Sequence, residues 1–115
     1  IGGDSAVSRD VETAIGRIVG STERVGGDNR YETSQNIALK FFPGAHDSIV
    51  LASGDNFPDG LVGGPLGLNA RGPLLLVNGR NTDLASGYAA GAGATTCFIL
   101  GGEKVISSST VQKIM

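Results

Sequence analysis

Asp55, Asp59 and Glu103 fall in segments that a parallel sheet would bring toward one edge. Three carboxylates gathered there would suit a divalent cation and metal-assisted hydrolysis, because hard cations take oxygen ligands. The same residues also have a purely structural role available. Asp55 suits a turn, and Asp59 suits the first turn of a helix, where its charge complements the helix dipole. Arg24 and Arg30 bracket Val25–Asn29. They form either a pair aimed at an anion or internal pairs with Asp28 or Glu32. Arg71 and Arg80 stand outside the run Leu74–Val77, at opposite ends, and are expected in solvent. Cys97 lies in the apolar text Cys97-Phe98-Ile99-Leu100 and reads as a small buried hydrophobe. His46, beside Pro43-Gly44, reads as a loop residue. Ser53-Gly54 is no G-x-S-x-G elbow, no G-K-[S/T] occurs, and no G-x-G-x-x-G directly follows a strand. No catalytic residue, metal ligand or cofactor is therefore assigned. Stacking on sugars is poorly served as well, since the chain has no Trp, two Tyr and four Phe.

The elements that must position these groups come from a chain of 115 residues with net charge −2. That length supports one core. The balanced charge argues against nucleic acid or an anionic membrane as the main partner, and no apolar run approaches the roughly 18 residues of a membrane span. Glycine is abundant at 19 residues, often paired inside apolar text, as in Gly26-Gly27 and Gly101-Gly102. Such pairs suggest tight turns and close backbone approach.

The two ends of the chain repeat each other. Ile1-Gly2-Gly3-Asp4-Ser5-Ala6-Val7-Ser8 returns as Leu100-Gly101-Gly102-Glu103-Lys104-Val105-Ile106-Ser107, with Gly2 and Gly101 99 positions apart. A fixed period marks a tandem array. Residues 1–15 are accordingly expected to be the C-terminal helix segment of a preceding repeat, and residues 16–115 one full repeat. Ile1–Ile15 should then copy the turn and helix of Gly101–Met115.

Between the ends, Ser8 caps a short helix expected to stop at Gly16, with Arg17–Val25 a short strand or extended. Asn29 and Glu32 form a capping box that opens a helix with Tyr31, Ser34, Ala38 and Phe41 on one face. Pro43-Gly44 stops it. Ile49-Val50-Leu51-Ala52, Pro73–Val77 and Thr96–Leu100 are continuous apolar runs, as in strands buried on both faces. Pro58 fits the first position of a helix, which the interior glycines and Pro65 should kink or break. Thr82–Ala92 is a helix with Leu84, Tyr88 and Ala92 on one face, and Ser107 or Ser108 caps the last one. The alternation predicts an α/β sandwich with a mainly parallel sheet.

Three stretches in register carry a resemblance: Glu23–Ser34 (ERVGGDNRYETS), Leu51–Leu61 (LASGDNFPDGL) and Phe98–Ser107 (FILGGEKVIS). Together they resemble the type 2 cell wall binding repeat of Gram-positive surface proteins. The resemblance implies a three-layer, Toprim-like sandwich and a non-catalytic, secreted anchor at the cell wall or cell surface. Its implied partners are an anionic wall polymer, teichoic-acid-like or an anionic polysaccharide, and neighbouring repeats or a homotrimer around a threefold axis. True Toprim enzymes use an Asp-x-Asp pair, which this chain lacks. Candidate polymer contacts are Arg24, Arg30, Arg71 and the family's Leu-rich strand, Leu74, Leu75 and Leu76. Gly26, Gly27, Asp28, Tyr31, Asp55, Asn56, Asp59, Gly101 and Gly102 are motif residues with a structural role. The helix after Asp59 is Gly-rich where the family is often Ala-rich. The alternatives are an assembly module forming a threefold platform and, less favoured, a metal-dependent hydrolase.

Overall fold

The computed structural model describes residues 1–115. In chain order the elements are α1 (Arg9–Val19), α2 (Arg30–Phe41), β1 (Ser48–Ser53), α3 (Pro58–Ala70), β2 (Leu74–Val77), α4 (Asp83–Ala92), β3 (Thr96–Ile99) and α5 (Ser108–Gln112). The run Ile49-Val50-Leu51-Ala52 is wholly buried and forms the middle strand of a parallel sheet ordered β2-β1-β3. Val50 stands in register with Leu74 and Phe98, and Leu51 with Leu75 and Ile99. Residues in register share a face, because side chains alternate along a strand.

One face carries Ile49, Leu51, Leu75 and Val77, which cluster with Ala38 of α2, with Ala85, Tyr88, Ala89 and Ala92 of α4, and with Ile106 and Ile114. The other face meets α3. That helix sits so low that a β-carbon added at Gly67 would lie 2.7 Å from the Gly72 carbonyl oxygen and 3.8 Å from Val50 Cγ2. Its glycines permit the close approach. The result is the expected three-layer α/β sandwich. The outer edge of β2 is sealed by α2. The Leu76 N–H donates to Ser34 Oγ at 3.0 Å, and that hydroxyl donates to the Tyr31 carbonyl at 2.8 Å. An edge amide is thereby paired instead of left open for another strand.

Several local expectations are corrected. The first helix runs through Gly16 to Val19, so Arg17–Val19 is helical, and it ends at Gly20 with φ 84°. An interior glycine costs a helix about 1 kcal/mol, but the residue with positive φ is what stops it. Pro65 does not break α3, which is one α-helix throughout. Pro65 and Leu61, whose carbonyl it cannot serve, are both exposed residues, so solvent can supply the missing partner. In α2, Glu32 reaches back to the N–H of Asp28, not of Asn29, and Phe41 is exposed. In α4 the buried face is Ala85, Tyr88, Ala89 and Ala92, one position round from Leu84. β3 is not buried on both faces. Like β2 it is an edge strand, but α3 packs over β1 and β2 and leaves it out, and Phe98 and Ile99 are 38% and 42% exposed.

The ends of the chain share a backbone conformation. Gly2 has φ 112° and Gly101 φ 106°. Ala6 and Val7 N–H donate to the Gly3 carbonyl as Val105 and Ile106 N–H donate to that of Gly102. Ser8 accepts from the Val11 N–H and Ser107 from the Thr110 N–H. Residues 1–8 form no strand, and α1 buries none of its residues. The radius of gyration, 14.7 Å, exceeds the roughly 13.3 Å of a compact chain of this length, in keeping with a helix that stands off the sandwich.

Candidate functional site

In open parallel sheets ligands favour the carboxyl ends of the strands. Here those ends are joined to the start of α2. Asn29 Oδ1 accepts from the N–H groups of Tyr31 and Glu32, both at 3.0 Å. This cap fixes where the helix begins and so aims Arg30 and Tyr31 at the ends of β1 and β2. The Tyr31 hydroxyl donates to Asp55 Oδ1 at 3.0 Å and accepts from Asn78 Nδ2 at 2.6 Å. Asn78 Nδ2 also donates to Asp55 Oδ1 at 2.9 Å. Asn78 Oδ1 in turn accepts from the N–H groups of Arg80 and Asn81.

This network sets the titration of its members. The bond from Asn78, then that from Tyr31, holds the Asp55 carboxyl below its usual range, with Arg30 and Arg80 helping. Burial, then the bond to Asp55, pushes the Tyr31 hydroxyl up. Arg30 Nη1 donates to the Gly54 carbonyl. Four of the five guanidinium N–H donors remain for other partners.

From this corner a groove of about 850 Å³ runs between α2 and α3 along β2. Leu74 and Leu76 form its floor, Gly60, Gly64 and Gly67 one wall, and Arg30 with Asn56 its polar mouth. The Gly-rich character of α3 thus has a spatial consequence. A side chain at Gly64 would meet nothing within 4 Å, so its absence leaves the groove open.

The leucine triplet is split. Leu74 and Leu76 are half-buried along the groove, whereas Leu75 points the other way and is 1% exposed in the core. Arg71 caps the end of α3 in a left-handed conformation, φ 53°, next to Gly72 at the far end of the groove, and its side chain makes no ion pair. Arg24 is engaged within the chain, but not with Asp28 or Glu32. Its Nε and Nη2 donate to Glu12 Oε2 at 2.9 and 2.7 Å, Nη1 donates to the Gly2 carbonyl at 2.8 Å, and Asp4 lies 3.5 Å away.

The three carboxylates do not assemble. Asp55 is held by Tyr31 and Asn78. Glu103 accepts from the Ser108 N–H and Oγ, which lower its pKa. No three acidic, His or Cys side chains stand where they could share a metal ion. Burial raises the Cys97 thiol, disfavouring the thiolate. Sequence reasoning missed Asn78 and the hydroxyl of Tyr31. Asn78-Gly79 signals only a turn, and Tyr31 reads as a helix-face aromatic.

A family model, cell wall binding domain 2, matches residues 24–111. The chain is 36% identical over 76 residues to the amidase enhancer of Bacillus subtilis (strain 168), covering 66% of this chain and 10% of that protein. It is 32% identical over 76 residues to an uncharacterised protein of Pyrococcus abyssi (strain GE5 / Orsay), covering 66% of this chain and 23% of that protein. It thus spans a quarter or less of these relatives' length. Among solved structures, Cwp8 from Clostridium difficile superposes with a TM-score of 0.72 at 24% identity, over 99% of this chain and 19% of that one, a likeness of fold.

Proposed function

The chain belongs to the cell wall binding domain 2 family, and on that premise we propose that it is a non-catalytic repeat that anchors a larger protein to the wall. In this reading it is secreted to the surface of a Gram-positive cell and holds an anionic wall glycopolymer, teichoic-acid-like or an anionic polysaccharide, without covalent linkage. The family match carries the proposal: it spans α2, α3 and β2, which line most of the groove, while Ile1–Ala6 lie outside it. Arg30 at the groove mouth and Arg71 at its far end are the charge partners. Leu74 and Leu76 form a floor for the apolar faces of sugar rings. Arg24 and Leu75 act structurally, the first in an internal clamp and the second in the core. Asp55 stands near Arg30 and offsets part of its charge, so one unit binds weakly. A tandem array makes up for this, since linked sites raise avidity by about 10²–10⁴.

The test is co-sedimentation with purified walls, before and after chemical removal of the anionic polymer, across a salt series. Binding that needs the polymer, weakens with salt and falls several-fold in Arg30→Gln supports the reading. A chain of three units that never sediments with polymer-bearing walls at low salt overturns it.

One feature favours a second reading, assembly into a threefold platform. On α1, Ile18 and Val19 are 83% and 60% exposed with no cover inside the unit, whereas the exposed Val11 and Ile15 match Thr110 and Ile114, buried 99 positions on, and are the residues a preceding repeat would cover. Sedimentation equilibrium separates the readings: a trimer supports assembly, and a monomer across the micromolar range counts against it.

A further inference from the structure

The chain contains the same turn twice, once docked and once free. In the docked copy, the Gly2 N–H donates to the Val25 carbonyl at 2.8 Å, and the Gly2 carbonyl accepts from Arg24 Nη1 at 2.8 Å. The backbones approach so closely that a β-carbon at Gly26 would stand 2.6 Å from the Gly2 carbonyl carbon, and one at Gly3 would stand 3.1 Å from the Gly27 carbonyl oxygen. In the free copy, the Gly101 N–H has no acceptor and its carbonyl has no donor, although Asp59 Oδ2 lies against it, 2.9 Å from where a β-carbon would sit. The position matching Gly3 is Gly102, around which nothing lies within 4 Å. Gly101 to Lys104 are all exposed.

We infer that Leu100–Glu103 is a docking surface for the Arg24–Gly27 segment of a following copy of this unit, which receives it as Arg24–Gly27 receives Gly2–Asp4 here. The backbone is already in shape, since Gly101 has the positive φ of Gly2, and ordering a preformed turn costs little. The charges correspond in part. Glu103 occupies the position of Asp4, with its two oxygens accepting from the Ser108 N–H and hydroxyl and keeping lone pairs for an arginine, while Val111 replaces Glu12. The incoming Arg24 therefore rests on the Gly101 carbonyl and Glu103. The junction runs head to tail, a heterologous contact that continues along a chain or closes into a ring. It rests on the tandem arrangement proposed above but not on polymer binding, and its test contains no polymer, so either can fail alone.

The test is hydrogen exchange, read by NMR, on a chain of two copies in which residue 115 of the first is followed by residue 17 of the second, preserving the 99-residue offset. The single chain is the reference. There the Gly2 amide is slow, the Gly101 amide is fast, and Arg24→Glu releases Gly2. In the two-copy chain, the Gly101 amide of the first copy should slow by at least about tenfold. Arg24→Glu in the second copy should restore its fast exchange while Val50 and Leu51 amides stay protected. Unchanged exchange at Gly101, or slowing that survives Arg24→Glu, overturns the inference. Loss of Val50 and Leu51 protection in the second copy also counts against it, since the first copy's tail would then fail to replace residues 1–16.

Discussion

The Tyr31 hydroxyl donates to the Asp55 carboxylate across 3.0 Å, tying the first turn of α2 to the end of β1. The bond favours the ionised acid, so the folded-state pKa of Asp55 lies below its unfolded value. Its contribution to stability is present above the unfolded pKa, about 3.9, and is lost as pH falls through the folded pKa. Tyr31→Phe removes one of two bonds and leaves that from Asn78. A carboxyl-carbon NMR titration should show the Asp55 midpoint rising part of the way toward its ordinary value. Thermal unfolding below pH 4 should be less pH-dependent than in the parent chain. An unmoved midpoint would show that the bond does not shape the site.

Ser34 pairs the Leu76 amide at the outer edge of β2. Ser34→Ala leaves that N–H without its partner, and because Leu76 is half-buried the cost should lie toward the lower end of the about 1–3 kcal/mol of a fully buried group. Urea unfolding should report the loss, and exchange at Leu76 should accelerate selectively. A stability change with no local acceleration would place the effect elsewhere.

Two glycines of α3 should respond with opposite signs. Gly64 faces open space, so Gly64→Ala gains helix propensity, about 1 kcal/mol. Gly67 lies against the Gly72 carbonyl, 2.7 Å from where a β-carbon would sit. Gly67→Ala should cost about 1–3 kcal/mol through overpacking. Equal effects in chemical denaturation would mean that α3 does not sit as close to the sheet as described.

The neighbouring leucines of β2 should separate stability from binding. Leu75→Ala opens a cavity in the core and should cost about 2–5 kcal/mol. Leu76→Ala, on the half-buried groove floor, should cost less and weaken wall co-sedimentation. Reversal of that order would place the groove on the wrong face of the sheet.

Much of the fold was legible because it depends on short-range chemistry. The apolar runs became the three strands, Asn29 capped α2, and Pro58 opened α3. The repeated ends became matching turns because equal residues with the same need for positive φ fold alike. What failed was what depends on neighbours. The run Thr96–Leu100 is as apolar as the middle strand, yet nothing in its own residues says that it stands at an edge of the sheet with Phe98 and Ile99 partly exposed. Pro65 carries the mark of a helix breaker, yet the side of α3 it occupies lets water replace its missing bond.

The residues in sequence thus determined which segments become strand, turn or helix and that the two ends are one motif, since periodicity, caps and glycine conformation act over a few residues. Only the tertiary structure decided which of Leu74, Leu75 and Leu76 faces the core, that Arg24 reaches Glu12 and Gly2, and that Tyr31, Asp55 and Asn78 meet. Those contacts join residues from 12 to 47 positions apart. Strand order and helix placement bring them together, and neither is written in any local run of residues.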